Sequence, residues 1–325
     1  MFLAIAILQF TLPHPPARPN SAREAVAAAV PQLLAGAKGH ADQKACFACH
    51  NQAYPLLALA AARDRGFDVP REFFARQAEH VADFLAANKD RFRDGRGTGG
   101  QASTASFALL ALELVGHEPD ETTDAVAGYL LKFEPTRDHW RTNSDRPPTE
   151  SSDFTTTYAA MRALRTFGRK ADRDLVQKRL AAAKSWLIKT AAKDTEDRVF
   201  RLLALKEAGA GDKEVAAAAW ELLRTQRRGG GWAQLDGTTS DPYATGSALY
   251  ALRHAGGLAA DSPVYRAGVG YLLRNQLPDG TWYVKSRSKP FQPYYESGFP
   301  HEKDQFISIA ATGWAAAAIA AGLDR

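Results

Sequence analysis

Cys46-Phe47-Ala48-Cys49-His50 is the stretch of this chain best equipped for chemistry, because it gathers both cysteines and one of the eight histidines of a 325-residue sequence into one C-x-x-C-H pentapeptide. That spacing is the attachment pattern of a c-type haem. The two thiols form thioethers with the porphyrin and the imidazole binds iron, so all three residues have a task. Other chemistries use only part of the pattern. A disulfide across so short a loop stabilises a fold by at most about 2 kcal/mol before strain and leaves His50 without a role. A thioredoxin-like pair sits at a helix start beside a βαβ unit, which is not legible here. Zinc wants four ligands, and Cys46, Cys49, His50 and His40 could supply them, but the spacing fits no common zinc pattern and no zinc is expected. Two ordinary thiols complete the alternatives. The expected cofactor is covalent haem c.

Haem attachment and stable disulfides both favour an oxidising compartment. Phe2 to Leu12 (FLAIAILQFTL) is a short apolar run, followed by Pro13, Pro15, Pro16 and small residues near Ser21-Ala22. It reads as a signal peptide over residues 1–22, although it lacks a basic start, and the prolines stop it from being a core helix. Residues 23–325 are then one domain, and the expected location is periplasmic or secreted. No other run is long enough for a stable membrane span.

A 45% hydrophobic chain of this length can bury a large core, and its formal charge of +5 is mild. Basic clusters such as Arg227-Arg228 and Lys285 to Lys289 are short and read as solvated loop charge, so no nucleic acid partner is expected. No phosphate-cradling Gly-rich loop after a strand and no H-E-x-x-H is present.

The elements that must position the pentapeptide are repeated. Ala- and Leu-rich segments end at Gly66, Gly116, Gly168, Gly209, Gly256 and Gly322, with gaps of 50, 52, 41, 47 and 66 residues. This period suits a two-helix repeat with loop insertions, each glycine closing its helix in the left-handed conformation. A second helical set carries Phe84-Leu85, Tyr129-Leu130, Trp186-Leu187, Trp220 with Leu222, and Tyr271-Leu272, with Ala25 to Leu34 as its first member. Six hairpins result, without the alternating β-branched runs of strands. Closing them into a double-layered ring leaves no end repeat uncovered, with the small helices inside.

Gln226 to Trp232 (QRRGGGW) and Gln276 to Trp282 (QLPDGTW) both fit Q-x-x-x-G-x-W, the second preceded by Tyr271-Leu272. This resembles the repeat of the squalene cyclase and protein prenyltransferase superfamily, which implies an all-α (α/α)6 toroid over residues 25–322. In that family the glutamine ties the turn to a helix end and the indole packs on it. Its catalytic residues do not carry over. Class II cyclases protonate a polyene with a D-x-D-D motif, and Asp153-Phe154-Thr155-Thr156 keeps only the first aspartate, whose ordinary role is a helix N-cap. Prenyltransferases place zinc ligands including a cysteine in the later hairpins, where this chain has no cysteine. The segments CFACHNQAYPLLALA and FQPYYESGFPHEKDQFISIAATGWAAAA also look like parts of bacterial, exported cyclase-like repeat proteins with the same pentapeptide, a likeness that names no substrate.

In such a ring the outer-to-inner loops share one end. They are long, notably Glu134 to Ser152 and Tyr283 to Lys303, whereas the return loops Phe67 to Arg71 and His117 to Glu121 are short, so the long-loop end is the expected functional face. Ring closure should bring Cys46, Cys49 and His50 toward Trp282, Tyr294, Tyr295, Glu296, His301 and Asp304. A haem there would set its face against Trp282 and Tyr294 and its propionates near basic side chains, with His301 as the second iron ligand. His40 and His80 are weaker ligands, and Met161 reads as core filling. No catalytic set is legible in the sequence; Asp153 and Asp304 are the candidate acids. Three occupations follow: an exported haem protein doing electron transfer with a redox partner protein, or redox chemistry on a ligand in the ring; a cyclase-like enzyme or isoprenoid-binding protein that takes an apolar small molecule; and a binding scaffold.

Overall fold

The second helix of each pair is the more deeply buried one, and it is richest in small residues in α2 and α13. The structure is a computed structural model that describes residues 19, 21–289 and 293–324. Its helices pair in order as α1 (Ala22–Gln43) with α2 (Tyr54–Arg63); α3 (Arg71–Ala87), extended by a short α4 (Lys89–Arg93), with α5 (Gln101–Leu114); and α6 (Glu121–Lys132) with α7 (Asp153–Phe167). Then come α8 (Arg173–Lys189) with α9 (Thr195–Glu207), α10 (Asp212–Leu223) with α11 (Pro242–His254), and α12 (Pro263–Asn275) with α13 (Gln305–Ala321). The second member of each pair packs on the next, and α13 returns to α2. Outside them, α1 meets both α3 and α12. The expected (α/α)6 toroid is therefore present and closed, with no strand among the described residues.

Packing follows from residue size. In α13 every residue but Phe306 is buried, the mark of a helix apolar all round. Gly246 and Gly313 let the inner helices touch: a Cβ at Gly246 would lie 2.6 Å from the Ala315 nitrogen, and one at Gly313 2.8 Å from the Tyr54 carbonyl oxygen. The outer helices are one-sided, as in α3, where Phe74, Gln77, Val81 and Leu85 face inward.

The Q-x-x-x-G-x-W turns work as the resemblance implies. Gln226 Nε2 donates to the carbonyls of Gly230 and Val264, and Gln276 Nε2 to those of Gly280 and Ala25, which ties the sixth hairpin to the first. Trp232 and Trp282 donate their indole N–H to Leu222 and Leu272. Trp140 repeats this bond to Leu130 without a glutamine, and Arg179 covers its ring instead, donating to the Phe133 and Arg137 carbonyls.

Gly66, Gly116 and Gly209 take the expected left-handed φ, whereas Gly168 and Gly322 end their helices with negative φ, and Gly257 replaces Gly256 as the left-handed residue of the fifth repeat. The N-cap of α7 is Ser152, which accepts from Phe154 and Thr155, so Asp153 is the first helical residue and not the cap. Met161 is buried core in α7. The expected leader lies almost wholly outside the described residues, although Ser21, within it, caps α1. No helix among the described residues is long and apolar enough to cross a membrane.

Candidate functional site

The long loops of the ring enclose a cavity of about 790 Å³ at one end. Its floor is the entry to α2, where Cys49 to Ala53 form a single π-helical turn, a local widening common at functional sites. The Gln52 side chain fixes that turn by accepting from the Ala48 N–H. Cys49 is buried and Cys46 exposed, and both are free thiols. His50 faces the cavity with 8% of its surface exposed, its ring edge-on to Phe306 at 5.3 Å. Neither ring nitrogen of His50 has a hydrogen-bond partner among the described residues. Burial, helped by His40 and Arg146, lowers its pKa to about 3, so the imidazole is neutral at ordinary pH.

One wall comes from the loop before α7. Arg146 and Glu150 pair through their backbones and as an ion pair, and burial raises the Glu150 pKa against the pull of Arg146. The opposite wall comes from the loop before α13, with Lys285, Lys289, Tyr294, Tyr295, Lys303 and Asp304. His40 of α1 joins that wall to the pentapeptide. Its Nε2 donates to the Cys46 carbonyl at 2.8 Å, which leaves Nδ1 to accept from the Tyr295 hydroxyl at 2.6 Å. Burial lowers the His40 pKa to about 4, consistent with that neutral tautomer.

The residues expected at the site divide. His50 shares one cavity with Tyr294, Tyr295, Glu296 and Asp304, whereas neither Cys46 nor Cys49 is among its lining residues. His301 does not line it: its backbone is left-handed (φ 85°) and its Nε2 lies 2.7 Å from the Thr281 hydroxyl, behind the wall. Trp282 is fully buried as the staple described above. Asp304 is on the wall but is held by the Tyr283 hydroxyl and the Ser286 N–H. Asp153 accepts from the Thr142 N–H and pairs with His139, away from the cavity. Among the described residues no three His, Cys, Asp or Glu side chains are grouped to hold a metal ion by themselves.

Part of the donor set suits a haem: His50 and several cations line the cavity, and the two thiols lie outside its lining. The cavity volume lies within the roughly 300–1,000 Å³ typical of cofactor sites. A neutral, unbonded imidazole stands in its wall. Cys49 is buried at the start of the π-helical turn and Cys46 is exposed. Lys285, Lys289, Lys303 and Arg146 are cations suited to carboxylates.

A second arrangement escaped the sequence reading. Asp194-Thr195-Glu196-Asp197 carries acids at the first, third and fourth positions of the D-x-D-D pattern, with glutamate for the central aspartate. Asp194 caps α9, and Glu196 points into the ring, where Thr155 Oγ1 donates at 3.1 Å and the Tyr243 hydroxyl lies 3.1 and 3.2 Å from its two oxygens. Burial raises its pKa well above the usual carboxyl range, and Asp194 and Asp197 push the same way, which favours the protonated form of Glu196. Beside it, the Tyr54 hydroxyl and Trp314 Nε1 are buried without a partner of hydrogen-bonding geometry. Each inner helix adds one aromatic side chain here: Tyr54, Phe107, Tyr158, Phe200, Tyr250 and Trp314 surround a void of about 20 Å³, room for about one water. The signal was legible, since an aromatic residue precedes the Ala- and Leu-rich stretch in all six repeats.

No protein-family model matches the sequence, and no curated protein does. Solved structures show the fold. A variant of the type II terpene cyclase MstE from Scytonema, in complex with geranylgeranyl dihydroxybenzoate, matches 93% of this chain and 99% of its own at 14% identity and a TM-score of 0.57. A protein from Actinoplanes covers the same shares at 16% identity and 0.56. A possible member of the GH105 family from Salmonella enterica covers 98% of each chain at 11% and 0.52. The chain thus has a terpenoid cyclase-like toroid fold, which hosts more than one chemistry.

Proposed function

We propose that this toroid is a c-type haem protein of the periplasm or cell exterior, with the porphyrin joined to Cys46 and Cys49 and its iron bound by His50. The observation that carries the reading is the neutral imidazole of His50, free of hydrogen bonds, in the wall of a cavity of cofactor size. Haem supplies one-electron chemistry there. The chain's own residues do the rest: Phe306 holds the imidazole edge-on, Lys285, Lys289 and Lys303 attract the propionates, and His40 fixes the pentapeptide to the far wall. Among the described lining residues His50 is the sole imidazole and no methionine is present. His50 would be the residue of this lining that binds the iron, and haem held there would supply electron transfer or redox chemistry on a ligand. Expression with haem-attachment machinery should give a protein heavier than its polypeptide by one haem, with a Soret band and a haem stain that survives denaturation. Exported material of bare polypeptide mass without a Soret band overturns the reading.

Glu196 favours a second reading, an acid-initiated enzyme on an isoprenoid ligand. A neutral carboxylic acid above six aromatic faces suits protonation of an alkene and stabilisation of the resulting cation. The void of about 20 Å³ requires the aromatic side chains to move before any such ligand enters. Copurified polyprenyl lipid in a colourless protein, lost in Glu196→Gln, would favour it; a lipid-free protein would not.

A further inference from the structure

The cavity under the long loops sorts its polar groups by depth. His50 forms part of its floor with 8% of its surface exposed, whereas Lys285, Lys289 and Lys303 of the same lining are exposed. None of the three lysines has an acidic partner among the described residues. The acids that share the lining are mostly engaged. Glu150 pairs with Arg146, Glu296 accepts from the Tyr294 hydroxyl, and Asp304 accepts from the Tyr283 hydroxyl and the Ser286 N–H. Among the described lining residues, Glu302 alone is left against the three lysines, so the balance favours an anion. The backbone adds to it. α13 begins at the cavity, where Gln305 and Phe306 line it, and the π-turn that leads into α2 begins there with His50 and Asn51. A helix start presents N–H groups without intrahelical partners and the positive end of its dipole. Asp304, the N-cap of α13, makes no side-chain bond to that first turn.

Two further features describe the rest of the occupant. Tyr294, Tyr295 and Phe306 give the lining apolar ring faces, which a small inorganic anion would leave uncovered. His50 is a neutral imidazole without a hydrogen-bond partner among the described residues, so it has one N–H to donate and one nitrogen to accept. A polar group left unpaired in so buried a place is costly, and a ligand hydroxyl that reaches it recovers that cost. We propose that this cavity binds an amphipathic organic acid, in which an apolar body joins a carboxylate held among Lys285, Lys289 and Lys303 to a hydroxyl that meets His50. The volume of about 790 Å³ accommodates such a molecule. Neither thiol lines the cavity, so the inference does not rest on the haem reading; it names what the cavity takes when no porphyrin fills it.

The test titrates 6-hydroxy-2-naphthoate, which carries the two polar groups at opposite ends of a flat apolar body, into the full chain made without haem-attachment machinery, and follows the fluorescence of the probe. 2-Naphthol, which lacks the carboxylate, and 2-naphthoate, which lacks the hydroxyl, should each bind about tenfold more weakly. Lys285→Gln combined with Lys303→Gln should weaken 6-hydroxy-2-naphthoate about tenfold and leave 2-naphthol unchanged, and both side chains are exposed enough for the fold to tolerate the change. His50→Phe should erase the difference between the two naphthoates. Equal affinity of the wild type for 6-hydroxy-2-naphthoate and either analogue, unchanged affinity in the double lysine variant, or no binding at all overturns the inference. This material carries no haem, so such a failure leaves the haem reading untouched, and a missing Soret band in exported protein leaves this inference untouched.

Discussion

The cavity under the long loops and the axis below it are both enclosed by the same six helical pairs, yet they are opposite environments. The cavity holds about 790 Å³ and mixes Lys285, Lys303, Glu150 and Asp304 with His50 and Tyr294. The axis holds about 20 Å³ between six aromatic rings, with one buried acid, Glu196, above them. The ring itself does not decide where empty space lies. Large side chains on the inner helices close the axis, and lengthened loops open a chamber at the rim. Residues at the rim are therefore free to serve a ligand, whereas residues on the axis hold the ring together.

That division can be broken by substitutions on each side. Replacing both Cys46 and Cys49 by alanine should abolish pigment that survives denaturation, scored on a haem-stained gel, while circular dichroism stays that of the wild type. Trp314→Ala should do the reverse, keeping the covalent pigment but costing about 3–5 kcal/mol of stability in urea unfolding, as expected for a large side chain removed from a packed core. A cost near zero there would mean the axis is not packed as described.

Glu196→Gln probes the acid of the axis. Its carboxyl titrates near 4.3 when unfolded and higher when folded, so the folded protein keeps a proton that the unfolded chain releases. Stability should then fall as pH rises from about 4.3 toward the folded pKa, by up to about 1.4 kcal/mol per pH unit, and the glutamine variant should flatten that slope. Urea midpoints measured between pH 5 and 8 decide it; identical slopes would place the acid in water. The smallest effect is expected at the rim, where Tyr294→Ala should change stability by no more than about 0.5 kcal/mol because the ring is largely exposed.

The period of the small-residue helices was enough to foresee the closed ring, because each pair can bury its apolar face only against its neighbours. The pentapeptide and the sixth loop were also legible as neighbours. Which side chain turned inward was not. His301 stood in the right loop, but left-handed backbone at His301 and Glu302 directs the imidazole to Thr281, and such a turn leaves no mark in residue type when no glycine is present. Arg146 and Glu150 enter the wall through a loop conformation that no helical period encodes. Glu196 stands outside the D-x-D-D pattern for a simpler reason: glutamate takes the position of the central aspartate, one methylene longer.

The bond from Gln276 to the carbonyl of Ala25 joins residues near the two ends of the chain. A ribosome delivers the first hairpin long before the last, so α1 and the π-turn must wait, unroofed, while five further hairpins are made. During that interval the thiol of Cys49, buried in the closed ring, stands open to any enzyme that meets the nascent chain. Once α13 docks, Phe306 lies against His50 and Cys49 is buried, while Cys46 stays exposed. Whatever is to be joined to the sulfur of Cys49 has its opportunity early, and the last helix sets the deadline.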